Sequence, residues 1–369
     1  MVVKIAPDGM ELWTKMVGTV ENDECWDILI DSDDYPVVVG GSAGDMARHD
    51  NSTTPQGSSF VNAGDLDFML VKLTPQGEYF LTRQWGSQGR DNLKGITMGD
   101  NTYVVGQTDG GVEYYSSDNV PDVYIAKYDL STGAQLWARE YETSDGYHVL
   151  PRDIVYVEGI QSVIVSGCSG GSIVGDLNGA SDPFIMEVNK VGNYAWGDQS
   201  FGTNAAGTWE CASGVTVDPY GNYVYVTGTI RESVDGAVVV GGADFFVAKY
   251  DLNLGAKSRL WVANYISGIN DEGTSIVVGS DDNLYISAFY EGAVGQVGNE
   301  GAYDMVLHSY DRDGLYRWSK NWGSNANDFA TGLTLDHSGH IIMVGYSEGE
   351  FGGVTSSGQN CAIVRTNEE

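Results

Sequence analysis

An all-β fold is what this 369-residue chain predicts, and three observations carry the prediction. A unit of about sixty residues recurs six times, and self-similarity at such a period marks a repeat architecture. Within each unit, short runs rich in Val, Ile, Tyr, Phe and Thr alternate with Gly, Asp, Asn and Ser, which is the punctuation of strands and tight turns. No segment carries a long apolar stripe of helical period.

Each element of the unit has its own signature. The most regular is a short apolar strand with an acid five positions ahead of a Lys or its substitute: Asp67 to Lys72, Asp122 to Lys127, Asp182 to Glu187, Asp244 to Lys249 and Asp304 to Ser309. Asn360 to Arg365 begins the phrase once more. A turn glycine follows at Gly77, Gly133, Gly192, Gly255 and Gly314, with Lys4 and Gly9 as the same pair at the N-terminus. A second strand, often with Trp (Trp13, Trp137, Trp196, Trp261, Trp318), leads to a polar stretch such as Asn270-Asp271 or Asn327-Asp328. A strand typified by Gly332-Leu-Thr-Leu-Asp336, a tight turn and a Tyr/Val/Ile-rich strand ending at Gly40, Gly106, Gly167, Gly228, Ala288 or Gly345 close the unit.

Four antiparallel strands per unit, repeated around a ring, describe a β-propeller, in which no blade buries its faces alone. In propeller order the strand ending at Asp336 is innermost and the Lys-bearing strand is third. Six innermost strands give six four-stranded blades; seven, completed by sequence outside this chain, is the alternative. Residues 1–369 are read as one propeller domain closed by mixing strands from 2–17 with strands from 331–366, so that Glu11 to Met16 supplies the fourth strand of the last blade.

The phrases Asp244-Phe-Phe-Val-Ala-Lys-Tyr-Asp251, Leu315-Tyr-Arg-Trp318 and Gly214-Val-Thr-Val-Asp218 through Gly221-Asn-Tyr-Val-Tyr-Val-Thr-Gly228 resemble the bacterial-type β-propeller repeat family of secreted and cell-surface proteins. The resemblance spans nearly the whole chain. It implies a structural or adhesive scaffold and carries no catalytic residue across. The third repeat departs most, with an insertion around Ser144 to Pro151.

A formal net charge of -32 excludes nucleic acid as a partner, because phosphate binding needs clustered Lys and Arg. Such acidity keeps a protein soluble and favours basic partners or divalent cations. No apolar stretch is long enough to cross a bilayer, and Met1-Val-Val-Lys4 reads as a repeat strand rather than a leader, so the chain is expected to be a mature form or a segment of a longer one.

The four cysteines fall on one face of the blades. Cys168 and Cys211 belong to neighbouring blades, while Cys25 and Cys361 become neighbours if a six-bladed ring closes. Disulfides Cys168–Cys211 and Cys25–Cys361 are therefore expected, with free thiols as the alternative; disulfides imply an oxidising, extracellular or cell-surface location.

Apparent catalytic motifs dissolve when repeats are compared. Gly167-Cys-Ser169-Gly-Gly171 matches a nucleophile elbow, but the shape recurs at Gly40 to Gly44, Gly106 to Gly110 and Gly345 to Gly349, as expected of a turn. Asp311 and Asp313 cluster carboxylates as calcium loops do, without the terminal Glu of an EF-hand, and a hairpin turn is the favoured reading; no cofactor is expected. The signature acids Asp67, Asp122, Asp182, Asp244 and Asp304 are read as caps for loop N–H groups. Asn51 heads a glycosylation sequon in the long polar segment between Gly40 and Asp65.

The sequence therefore points to a non-enzymatic extracellular module that binds protein or glycan partners through outer loops, Tyr114 and Tyr115 among them, within a coat, filament or larger surface protein. The alternative is a propeller enzyme: Asp129 to Trp137 looks like the tryptophan motif of quinoprotein dehydrogenases, and the turn-plus-Trp position is similar to the Asp-box of sialidases.

Overall fold

A computed structural model describes all residues except 47–61, 113–119, 145, 177–179, 201–208, 236, 254–256, 265–269, 292–300, 354–357 and 368–369. The protein is a six-bladed, almost helix-free β-propeller of antiparallel blades. Blade 1 comprises Asp23–Ile30, Pro36–Ser42, Asp67–Leu73 and Tyr79–Trp85; blade 2 comprises Asp91–Met98, Thr102–Thr108, Asp122–Asp129 and Ala134–Tyr141. Blade 3 is Val149–Val157, Ser162–Ser169, Asp182–Asn189 and Tyr194–Asp198; blade 4 is Cys211–Val217, Tyr223–Ile230, Asp244–Asp251 and Ser258–Asn264. Blade 5 is Asp271–Val278, Leu284–Glu291, Tyr303–Tyr310 and Tyr316–Trp322; blade 6 has Asp328–Leu335, Ile341–Ser347 and Asn360–Thr366. By contact the chain divides into two compact units, 1–156 with 188–194 and 157–187 with 195–369.

In each unit the core lies between blades. Val37, Val39, Phe68 and Leu70 of blade 1 pack on Leu93, Val104, Tyr124 and Ala126 of blade 2. In the second unit, Phe245 and Val247 of blade 4 meet Ile276, Ile286 and Val306 of blade 5, whose Met305 and Leu307 meet Ala330, Met343 and Ala362 of blade 6. Middle strands such as Pro36–Ser42 and Asp67–Leu73 are buried along their whole length, so both faces must be apolar and the sequence runs apolar without alternation.

Two local devices repeat. The first strand of blades 1, 2, 4, 5 and 6 carries a one-residue irregularity, between Cys25 and Asp27, Leu93 and Gly95, Ala212 and Gly214, Gly273 and Ser275, and Ala330 and Gly332. This β-bulge presses a carbonyl toward the second strand. A Cβ at Gly40, Gly106, Gly228 or Gly345 would strike the carbonyl oxygen of Glu24, Asn92, Cys211 or Phe329, which explains the glycine that ends these four units; in blade 5 the place is taken by the buried Ala288, opposite Gly273. The second device is the tryptophan. Trp13 and Trp137 donate from Nε1 to the Pro75 and Lys190 carbonyls at 3.0 and 2.9 Å, and their rings, like that of Trp261, lie against the turn glycines Gly77, Gly192 and Gly314. Packing of a ring on a bare glycine turn accounts for both residues at once.

The ends of the chain differ from expectation. Val2–Ile5 pairs with Glu11–Lys15 in a separate two-stranded sheet, and the sheet of blade 6 holds three strands with Asn360–Thr366 at its edge. The hairpin packs instead on blade 1: Val2 and Val17 join Val38, Met69, Val71 and Leu73, and Lys4 Nζ donates to the Pro75 carbonyl at 3.1 Å. The strand Glu11 to Met16 is thus paired within its own hairpin rather than serving as the fourth strand of blade 6.

Candidate functional site

The repeated polar residues are mostly consumed by the frame. Asp67 and Asp244 accept from the N–H four residues earlier, Ala63 at 2.9 Å and Val240 at 3.0 Å. Asp304 accepts from Asn321 Nδ2 at 3.4 Å, and Asp182 is fully buried at the head of its strand; Asp122 occupies the same place and is half-buried. A second set at the first strands does the same: Asp23 with Thr19, Asp91 with Ser87 and Asp328 with Ser324. Burial pushes Asp67 and Asp244 up, and Asp91 up to about 6.

The nucleophile-elbow shape is a turn. Ser42, Ser169 and Ser347 each donate to the carbonyl two residues on, Gly44 at 3.1 Å, Gly171 at 2.7 Å and Gly349 at 3.4 Å, and Thr108 does so to Gly110. A hydroxyl committed to its own backbone holds the exit from the second strand. Asp311 Oδ1 accepts from the N–H groups of Asp313 and Leu315 at 3.0 and 2.9 Å, with Gly314 at φ 86°, so Asp311 and Asp313 sit in a hairpin turn. Among the described residues no group of three or more His, Cys, Asp or Glu is placed to hold a metal ion.

Cys168 and Cys211 form a disulfide across 43 residues of sequence. Cys25 and Cys361 are free, exposed thiols, which corrects the expected Cys25–Cys361 bond. Cys25 lies near the Met1 ammonium, and Cys361 lies on the edge strand of the three-stranded sheet opposite Tyr346. Asn51, Tyr114, Tyr115 and Gly255 lie outside the described residues.

The signature lysine has a role that its position alone did not reveal. Lys72 pairs with Asp31 at 2.6 Å and lies 4.8 Å from the Tyr35 ring centroid; Lys127 pairs with Asp100 at 2.8 Å and lies 5.0 Å from Tyr103. Arg365 pairs with Asp336 at 2.7 Å. In each case the third-strand cation meets the acid in the turn between the first two strands of its own blade. In blade 3 an acid, Glu187, stands in the lysine's place and pairs with Lys257 in the turn before the last strand of blade 4.

Blade 4 keeps both residues and breaks the pair. Lys249 Nζ donates to the Arg312 carbonyl at 2.8 Å, beneath the rings of Tyr223 at 4.1 Å and Tyr225 at 5.4 Å. Burial lowers the lysine's pKa and raises that of Tyr225. Asp218 instead accepts from the N–H groups of Asn222 and Tyr223 at 2.6 and 2.7 Å. The result is a recess of about 230 Å³ lined by Asp218, Tyr220, Asn222, Tyr223 and Tyr225 of blade 4 and Val278, Asp282 and Arg312 of blade 5. Sequence reasoning missed it; its one sequence signal was the tyrosine density of Tyr220-Gly-Asn-Tyr-Val-Tyr225.

A second polar group lines the first strands of the first unit. Lys94 Nζ stands 3.4 Å from the Trp26 ring centroid, and burial lowers it to about 7. Burial, with the Asp153 charge, raises Asp27 to about 7, and its carboxylate accepts from the Ile28 and Ile96 N–H groups at 2.7 and 2.9 Å.

No family model matches the chain. It is 20% identical over 436 aligned positions to an uncharacterized WD repeat-containing protein of Acanthamoeba polyphaga mimivirus, covering 93% of this chain and 31% of that protein. The chain thus spans about a third of that relative's length. Among solved structures it is similar to a protein of unknown function from Dyadobacter fermentans (10% identity, TM-score 0.48, 95% and 96% of the two chains) and to hydrazine synthase of Kuenenia stuttgartiensis (10%, 0.48, 81% and 75%).

Proposed function

We propose that this protein is a non-enzymatic, extracytoplasmic binding module: a rigid propeller that holds protein or glycan partners on its turns and loops as part of a surface coat, filament or larger surface protein. The observation that carries the proposal is the contrast within the repeat. Signature acids, hydroxyls and lysines are tied into capping bonds, turns and ion pairs, whereas the recess beside Asp218 and Arg312 presents polar groups and aromatic faces to solvent, the mixture found in ligand pockets. The Cys168–Cys211 disulfide supports an oxidising compartment. The resemblance of the repeat phrases to secreted and surface propellers supports the same reading.

The test is adhesion. Beads coated with the protein are passed over printed neutral and acidic glycans and over immobilised matrix proteins, while the protein is assayed in parallel against fluorogenic glycosides, sialosides and a redox dye with added quinone. Retention without turnover is the expected outcome. Hydrolysis or dye reduction would replace this reading with a propeller enzyme.

A further inference from the structure

We infer that the recess between the blade 4 and blade 5 turns is a binding site for a single neutral pyranose ring, an inference that rests on the binding-module reading and names its site and ligand class. Its size comes first. About 230 Å³ falls below the roughly 300–1,000 Å³ of pockets for drug-sized ligands, so one ring with its substituents is the natural occupant.

Charge decides between ligand classes. Asp218 and Asp282 supply two carboxylates; Arg312 supplies a guanidinium, and the Lys249 ammonium lies 4.1 Å from the Tyr223 ring centroid. Carboxylates in a chain of net charge -32 disfavour an anion, and the two cations disfavour a compact cation. A neutral polyol satisfies both signs, since a sugar hydroxyl donates to a carboxylate while its neighbour accepts from a guanidinium or the Asn222 amide.

Those groups are available. Arg312 and Asp282 are 3.7 Å apart, with side chains 57% and 41% exposed, a surface pair that opens at little cost. Tyr220 is 70% exposed and, with Tyr223, gives the recess amphipathic aromatic faces against which the C–H side of a pyranose packs.

The experiment is saturation-transfer NMR on the whole chain with methyl α-glucopyranoside, methyl β-galactopyranoside and methyl α-mannopyranoside as probes, and glucuronate and glucosamine as charged comparators. At least one neutral pyranoside is expected to take up saturation and to bind more tightly than either charged sugar. Arg312→Ala and Tyr220→Ala, both at exposed positions that leave the fold's melting temperature in place, should each weaken binding about tenfold, as loss of a charge-assisted hydrogen bond or a stacking face does. Silence with all three pyranosides, tighter binding of a charged sugar, or unchanged binding in both variants would overturn the site. Bead retention alongside pyranoside silence would sink this inference and leave the binding-module reading standing; pyranoside binding with no bead retention would do the reverse.

Discussion

Blades 2 and 4 hold the same three cross-strand partners. Tyr103, Lys127 and Trp137 form one rung, with Tyr103 and Trp137 centroids 6.0 Å apart; Tyr225, Lys249 and Trp261 form the other, at 6.2 Å. In blade 2 the lysine reaches its own turn acid, Asp100, which also accepts from the Tyr103 hydroxyl at 2.7 Å. In blade 4 it reaches the next blade's Arg312 carbonyl, and Asp218 faces a recess. Identical rungs yield a sealed turn in one case and an open one in the other. The turns differ in length, Gly99 to Asn101 against Asp218 to Asn222, and the lysines reach different acceptors, so a repeat protein can gain a site without disturbing its rungs.

The frame itself should respond alike in both blades, and most strongly. Gly106→Ala and Gly228→Ala place a methyl against the Asn92 and Cys211 carbonyls, a backbone collision that should lower stability by about 4 kcal/mol in either variant; urea unfolding showing a large loss in one blade and none in the other would break the equivalence. Next comes the disulfide, which ties blade 4 to blade 3 and has no counterpart in blade 2. Cys211→Ser is expected to cost about 2–4 kcal/mol, and hydrogen exchange should show the opening in blades 3 and 4 while blade 2 amides keep their protection.

A smaller effect separates the lysines. Lys127→Met strands Asp100, whose side chain is 42% exposed, and should cost about 1 kcal/mol. Lys249→Met removes a buried ammonium that has no carboxylate partner among the described residues, so thermal unfolding should change by less than about 0.5 kcal/mol or rise slightly. Equal losses in the two variants would mean that Lys249 is paired in solution and the recess closed.

The last comparison is pH. Asp91 in blade 2 and Asp27 in blade 1 are raised to about 6 and about 7, so the folded state binds protons that the unfolded state releases above about 4. Stability from these groups is present at low pH and is lost as pH rises through 6 and 7. His308 in blade 5 is lowered to about 3 by full burial; the unfolded state binds its proton first, so stability falls as pH drops from about 6.5 toward 3. Hydrogen exchange should find blades 1 and 2 better protected at pH 5 than at pH 8, and blade 5 less protected at pH 4 than at pH 7.

Much of this was legible because repetition filters chemistry. Ser169 is excluded as a nucleophile by Ser42 and Ser347 alone, and the hydrogen bonds to Gly44, Gly171 and Gly349 agree. The strands and the Cys168–Cys211 bond followed from position in the unit. The pairing of the chain's ends did not, because Val2–Ile5 and Asn360–Thr366 are both third-strand sequences and nothing in their composition ranks them. The recess was also hidden: Asp218 and Lys249 fill the roles of Asp100 and Lys127, and the longer blade 4 turn, Asp218 to Asn222 against Gly99 to Asn101, does not by itself mark a site. Sequence periodicity encodes which residues can meet; it does not encode which of two nearby oxygens a lysine chooses.

The bulge in the first strands has a consequence of its own. The added residue, Trp26, Lys94, Ser213, Thr274 or Thr331, has no place in the backbone register of the ladder, although the Thr274 and Thr331 hydroxyls donate across to the Ser287 and Val344 carbonyls. This one residue is released from backbone pairing and already ranges from indole to ammonium to hydroxyl. On the first strand of a blade, that makes it the place where the chemistry can change through single substitutions while the backbone ladder of the blade stays as it is.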